Sequence, residues 1–124
     1  MGAKKTVLVI DDDIDILESL SLVLTAEGFE VLTVSSGREG LALLDQRTPD
    51  IILCDMMMES IDAGMQTAQQ IKQRLPHVPI FLLSSIAAAT AATTEISELG
   101  FSGVLQKPVD PQHVVTVVKH TLRC

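Results

Sequence analysis

Five short apolar runs divide the chain, and each is followed by a segment whose apolar positions recur at helical spacing. The first run, Thr6 to Ile10, is rich in β-branched residues and too short for a helix, so it predicts a strand. Behind it Ile14, Leu17, Leu20 and Leu24 recur at helical spacing until Gly28. Val31 to Val34 predicts a second strand, and Gly37 opens a helix carrying Leu41 and Leu44, closed off by Pro49. The third run is Ile51 to Cys54, with Asp55 at its carboxyl end. A Met-rich loop then leads to a helix with Met65, Ala68, Ile71 and Leu75 on one face. Pro76 and Pro79 bracket the turn into Ile80 to Leu83, which ends at Ser84 and Ser85. A helix around Thr93 to Leu99 stops at Gly100, and the fifth run, Gly103 to Gln106, ends at Lys107-Pro108. Asp110 and Pro111 then supply a cap and first position for a last helix through Val114, Val118 and Leu122, although VVTVV alone favours a strand.

Strands alternating with helices predict a parallel α/β sheet covered on both faces. Ligands of such sheets bind beyond the carboxyl ends of the strands, near the switch in strand order. Asp11, Asp12, Asp13, Asp55, Ser84 and Lys107 fall at those ends. Carboxylates gathered at one sheet edge repel one another unless some are protonated or a divalent cation neutralises them. All-oxygen ligation of that kind suits Mg²⁺. A carboxylate beside the cation can attack a phosphoryl donor, with Lys107 and Ser84 placed to meet the phosphoryl oxygens.

Composition narrows the function further. At 124 residues the chain is one domain's worth. It has no Trp or Tyr, and Phe29, Phe81 and Phe101 each lie in an apolar stretch, so a base-stacking surface is absent. The formal charge of −7 disfavours direct contact with nucleic acid or anionic lipid. Cys54 and Cys124 form no metal-binding spacing, and His77, His113 and His120 read as surface positions. With neither a signal-peptide pattern nor a membrane-length apolar run, a cytoplasmic setting is expected.

Taken in order, VLVIDDD, IILCDMMM, IFLLSS and Lys107-Pro108 resemble the receiver domain of two-component response regulators, over roughly Lys4 to Leu122. The resemblance implies a flavodoxin-like, doubly wound (βα)5 fold with strand order 2-1-3-4-5. Residues 1–124 are expected to form one receiver domain, standing alone or cut from a longer regulator. The resemblance makes Asp55 the phosphoacceptor, and Mg²⁺ the cofactor on Asp12, Asp55, the Met57 backbone carbonyl and, mainly through water, Asp11. It makes Lys107 and Ser84 the catalytic helpers and implies a cis bond before Pro108. The donor would be the phosphohistidine of a sensor kinase or phosphotransfer protein, and the domain would catalyse only its own phosphorylation and dephosphorylation. A homodimer through the last helix is a further expectation, with Val117 left outside the core.

Several positions depart from the family. Glu59 stands where most receivers have Pro, and Asp62-Ala63-Gly64 reads as a one-residue insertion that makes the loop more flexible. Val104 replaces the aromatic residue that partners Ser84 in switching. The stretch Ser85 to Thr94 (SIAAATAATT) is uncharged, which suits either a flexible loop or an apolar docking face. Two other readings compete. An Asp-nucleophile phosphatase would use Asp11 and Asp13, but it expects Thr or Val where Asp15 stands, and the chain leaves no room for a cap domain. A receiver that has lost phosphorylation would act as an interaction module alone.

In this family the side chains two beyond the acceptor and two beyond the Ser/Thr tune phosphoryl lifetime. Met57 and Ile86 occupy those positions and cannot orient an attacking water. The phosphorylated protein is therefore expected to hold its phosphoryl group longer than a Met57→Asn/Ile86→Glu variant, as measured by loss of the mass adduct with time.

Overall fold

The computed structural model describes residues 4–55, 61–84 and 100–123, with the backbone alone for 61–65. Strands β1 (Thr6–Ile10), β2 (Glu30–Val34), β3 (Ile51–Asp55), β4 (Ile80–Ser84) and β5 (Gly103–Gln106) form one parallel sheet. Their order is β2-β1-β3-β4-β5. The helices are α1 (Ile14–Ala26), α2 (Gly37–Leu43), α3 (Ile61–Arg74) and α4 (Pro111–Leu122). The expected helix around Thr93 to Leu99, the Ser85 to Thr94 stretch, Met57, Glu59 and Ile86 lie outside the described residues.

Every residue of β1 and β3 is buried, as parallel strands covered on both faces require. Alternation along the strands splits the apolar side chains between two cores. Val7, Val9, Ile51, Leu53 and Leu83 meet Leu17, Leu20 and Leu24 of α1 and Val114, Val115 and Val118 of α4. On the other face Leu8, Ile10, Ile52, Cys54 and Leu82 meet Ala68 and Ile71 of α3, with Leu44 behind α2. In β1, β3 and β5 the odd-numbered residues point to the α1/α4 side, and that same parity runs on to Asp11, Asp55 and Lys107. The alternation that fills the core thus also aims the candidate chemistry to one side.

Helix ends are fixed by local chemistry. The Asp13 side chain accepts from the Asp15 amide and caps α1. At the other end Phe29 N donates to Leu24 O (3.1 Å) and Gly28 N to Thr25 O (3.0 Å), with Gly28 at φ 96°. This is a Schellman closure, whose left-handed residue explains the glycine. Asp110 caps α4 through the Gln112 amide at 3.0 Å, with Pro111 in the first turn. That start, and the burial of Val114, Val115 and Val118 on one stripe, override the strand propensity of VVTVV.

Four details differ from the sequence expectations. Ile14 is 62% exposed rather than on the buried face of α1, because as the first residue of the helix it precedes the stripe that meets the sheet. α3 already begins at Ile61, so Asp62, Ala63 and Gly64 are helical rather than a flexible loop. β2 includes Glu30, whose carboxylate accepts from Thr6 Oγ1 at 3.1 Å and pairs with Arg47. Val117 packs partly against the first core, so α4 presents less apolar surface for a second copy than expected.

Leu53 is fully buried in β3, whereas Leu22 on α1 is 73% exposed. Leu53→Ala is expected to lower stability by about 2–5 kcal/mol, and Leu22→Ala by less than about 0.5 kcal/mol, in urea unfolding followed by circular dichroism.

Candidate functional site

The carboxyl ends of β1 and β3 lie side by side, with Ile10 paired to Cys54, so the residues just beyond them converge. Asp11 and Asp55 are both buried at that edge, while Asp12 is exposed at its rim. One carboxylate oxygen from each of the three lies within 4.8 Å of the others. Across the edge, Lys107 follows β5 and is held by a 2.7 Å hydrogen bond from its amide to Ser84 O. Its ammonium reaches back, 3.0 Å from Asp11 Oδ2 and 3.3 Å from Asp55 Oδ2. The Lys107–Pro108 bond is cis. Residues from β1, β3 and β5 are thus joined by a single cation.

Electrostatics explains why that cation matters. Burial pushes the Asp11 carboxyl up to about 6, and the Asp55 charge adds to the rise, while the Asp13 amide and Lys107 hold it down. Burial also pulls the Lys107 ammonium down, but its contacts with Asp11 and Asp55 outweigh this and the net direction is upward. Cys54, beside Asp55 and facing the second core, has its thiol pushed up to about 12 by burial and then by the two carboxylates. It is therefore an inert filler rather than a nucleophile.

The donor set can be tested for a cation. Asp11 Oδ1 accepts from the Asp13 amide at 2.9 Å, whereas Oδ2 has no hydrogen-bonding partner among the described residues beyond its ion-pair contact with Lys107. A buried carboxylate oxygen short of donors, grouped with two other carboxylates, fits a hard divalent ion held by oxygen. Asp11, Asp12 and Asp55 are the residues that could hold it. Met57, whose carbonyl the family resemblance adds, lies outside the described residues.

Asp13, expected at the same sheet edge as Asp11, Asp12 and Asp55, stands apart from them, as does its neighbour Asp15. Asp13 is exposed and spends its side chain on the Asp15 amide, and neither residue belongs to the three-carboxylate group. That separation removes the Asp11/Asp13 pair on which a phosphatase reading rests. Ser84 is buried at the end of β4, one position beyond the Leu83 that pairs with Asp55. Val104 pairs with Leu82 and packs partly against the second core. The Asp13 backbone amide fixes Asp11 Oδ1, a role whose only trace in the sequence is the D-x-D-x-D spacing of 11, 13 and 15. A cleft of about 530 Å³ opens beside Lys107, between Asp13, Ile16 and Ser19 of the α1 end and Pro108 and Val109.

Residues 7–119 match the response regulator receiver domain. The chain belongs to that family. It is 36% identical over 118 residues to the transcriptional regulatory protein GlrR of Escherichia coli K12, covering 93% of this chain and 26% of GlrR. To the PhoP alkaline phosphatase synthesis regulator of Bacillus subtilis it is 33% identical, over 96% of this chain and 49% of that protein. The receiver therefore spans about a quarter to a half of the length of these curated relatives. A crystal structure of a putative response regulator from Chloroflexus aurantiacus superposes with a TM-score of 0.83 at 32% identity, covering 98% of this chain and all of that one. The chemotaxis response regulator CheY4 of Vibrio cholerae gives a TM-score of 0.83 at 27% identity, covering 95% and 98%. Receivers of this family are the phosphoacceptor domains of two-component signalling, and they work with histidine kinases or phosphotransfer partners. No helix among the described residues is long and apolar enough to cross a membrane.

The raised Asp11 carboxyl carries a sign for stability. Its folded value exceeds the ordinary 3.8, so its contribution is fully present below about pH 4 and lost as pH rises through about 6. In EDTA, Asp11→Asn is therefore expected to gain stability relative to wild type as pH rises from 4 to 8, as followed by urea midpoints across that range.

Proposed function

We propose that the receiver accepts a phosphoryl group on Asp55, with Mg²⁺ held by Asp11, Asp12, Asp55 and the Met57 carbonyl. The observation that carries this reading is the bridge of Lys107 Nζ to two buried carboxylates, with a third within reach. Asp55 is buried at the end of a central strand, within ion-pair reach of Lys107, at the position where the family resemblance puts the acceptor.

When bound, the metal supplies positive charge that screens the approach of an anionic donor to an anionic acceptor. The protein's own groups do the remainder. An Asp55 carboxylate oxygen attacks the donor phosphorus, forming an O–P bond, and the phosphorus–nitrogen bond of the donor phosphohistidine breaks. The imidazole leaves with that electron pair and takes up a proton. Lys107 turns toward the charge gathering on the transferred phosphoryl oxygens, for which its position 3.3 Å from Asp55 Oδ2 prepares it. The Ser84 hydroxyl supplies a hydrogen bond to another of those oxygens. The transition state is loose, so this positioning and charge balance suffice, and no other substrate is turned over.

The chemical step puts extra negative charge at the edge shared by β3, β4 and β5. Lys107 is tied to Ser84 O through its backbone, so a response there shifts the carboxyl end of β4. Val104 has no ring to rotate, and the response is therefore carried by Ser84 rather than by an aromatic swing. The switched surface would then act on an output domain or a separate partner, in the cytoplasmic setting of a kinase donor.

Intact mass after incubation with acetyl phosphate tests the reading. Wild type with Mg²⁺ is expected to gain one phosphoryl group, while EDTA or Asp55→Asn abolishes the gain. Lys107→Ala should cut the rate by about 100-fold or more, on the scale of losing one transition-state charge contact. An unmodified wild type that also fails to bind beryllofluoride would leave an interaction module as the function.

A further inference from the structure

Asp11 Oδ1 takes its hydrogen bond from the backbone amide of Asp13, at 2.9 Å. The Asp13 side chain in turn accepts from the Asp15 amide at 2.9 Å, and its carbonyl accepts the first turn's hydrogen bond from Leu17 N at 3.1 Å. Asp13 has φ −88° and ψ 107°, the extended geometry of a capping residue. One residue therefore does two things with different atoms: its side chain stops α1 from unwinding, and its amide holds a buried carboxylate. The chain before it is fixed as well, since Asp11 N donates to Val34 O at 3.2 Å. Asp11 is thereby clamped between the end of β2 and the cap of α1.

We infer that Asp13 is a positioning residue for the cation site, acting through its own backbone and not as a ligand. The inference rests on the reading of Asp11 as a cation ligand. With Oδ1 held by the Asp13 amide, the carboxyl plane of Asp11 is set, with Oδ2 directed toward Lys107 and the carboxylate grouped with those of Asp12 and Asp55. Loss of the cap releases the Asp13 backbone from its extended geometry and the amide drifts from Oδ1. Asp11 then samples orientations that no longer converge with Asp12 and Asp55. Capping is a property of a short acceptor side chain, so Asn and Ser preserve it whereas Ala and the longer Glu do not. This separates the role from the simple effect of one more negative charge, which Glu keeps and Asn removes.

The test is metal affinity, read by titration calorimetry with Mg²⁺ and by the Mn²⁺ electron paramagnetic resonance signal, because the chain has no Trp or Tyr to report by fluorescence. Wild type, Asp13→Asn, Asp13→Ser, Asp13→Ala and Asp13→Glu are compared, with far-UV circular dichroism to establish folding. The expected result is near wild-type affinity for Asn and Ser, with about 10-fold weaker binding for Ala and Glu, the scale of losing a group that orients a metal ligand. If Ala does not fold, the Asn and Glu pair decides. Equal affinity across all the folded variants would reduce Asp13 to a helix cap, and Asn weakened while Glu stays at the wild-type value would make the effect one of charge. Either outcome overturns the inference. A wild type that binds neither ion, like an Asp12→Ala control, would instead remove the cation site on which the inference stands.

Discussion

Two buried carboxylates at the end of adjacent strands are an unstable arrangement without a counter-charge, and Lys107 is that counter-charge. Its ammonium stands between Asp11 and Asp55, drawn from a strand two places away from β3. Without a cation near them, both carboxylates would have to be protonated or exposed, since isolated buried charge costs several kcal/mol. The order of the strands is what makes the contact possible. β1 and β3 are neighbours, and β5 reaches the same edge because β4 alone separates it from β3. The remainder of the fold serves this meeting by filling both faces of the sheet with aliphatic side chains that keep the edge in register.

Much of this could be read before any coordinates. The apolar runs and the helical spacings point to the described strands and helices because the central strands are buried on both faces and the helices on one. Asp55 and Lys107 could be picked out because they end apolar runs, where an α/β sheet exposes its functional edge. Other features were out of reach for physical reasons. The sequence does not distinguish Asp13 from its acidic neighbours, since capping and cation binding both draw on the same short carboxylate. The helical state of Asp62 to Gly64 is hidden in the sequence because a glycine and a shift in length suggest a loop, while a helix start tolerates both. The exposure of Ile14 is not legible either, because spacing alone cannot tell the first residue of a helix from the stripe behind it.

Two properties of the core bear on how the receiver responds. The first is its division by the sheet: α1 and α4 cover the face to which Asp11, Asp55 and Lys107 belong, while α2 and α3 cover the other. The second is the absence of aromatic bulk at the Val104 position of β5, where the side chain is half-buried against the second core. A change at the acidic edge therefore has no ring at that position through which to reach the outer surface. The Lys107 amide bond to Ser84 O is a backbone link between the end of β5 and the end of β4 at that edge.

That bond also turns strand register into a measuring device. Lys107 is anchored to β4 by its backbone and to β1 and β3 by its side chain, so it compares the heights of strands across the sheet. A slip of β5 by a single residue is about 3.3 Å and reverses which face each side chain meets. The Lys107 side chain would then leave the face to which both carboxylates belong. Strand alignment and charge neutralisation consequently fail or hold together. The three residues that meet at this edge therefore also tie the alignment of β5 to that of β1 and β3.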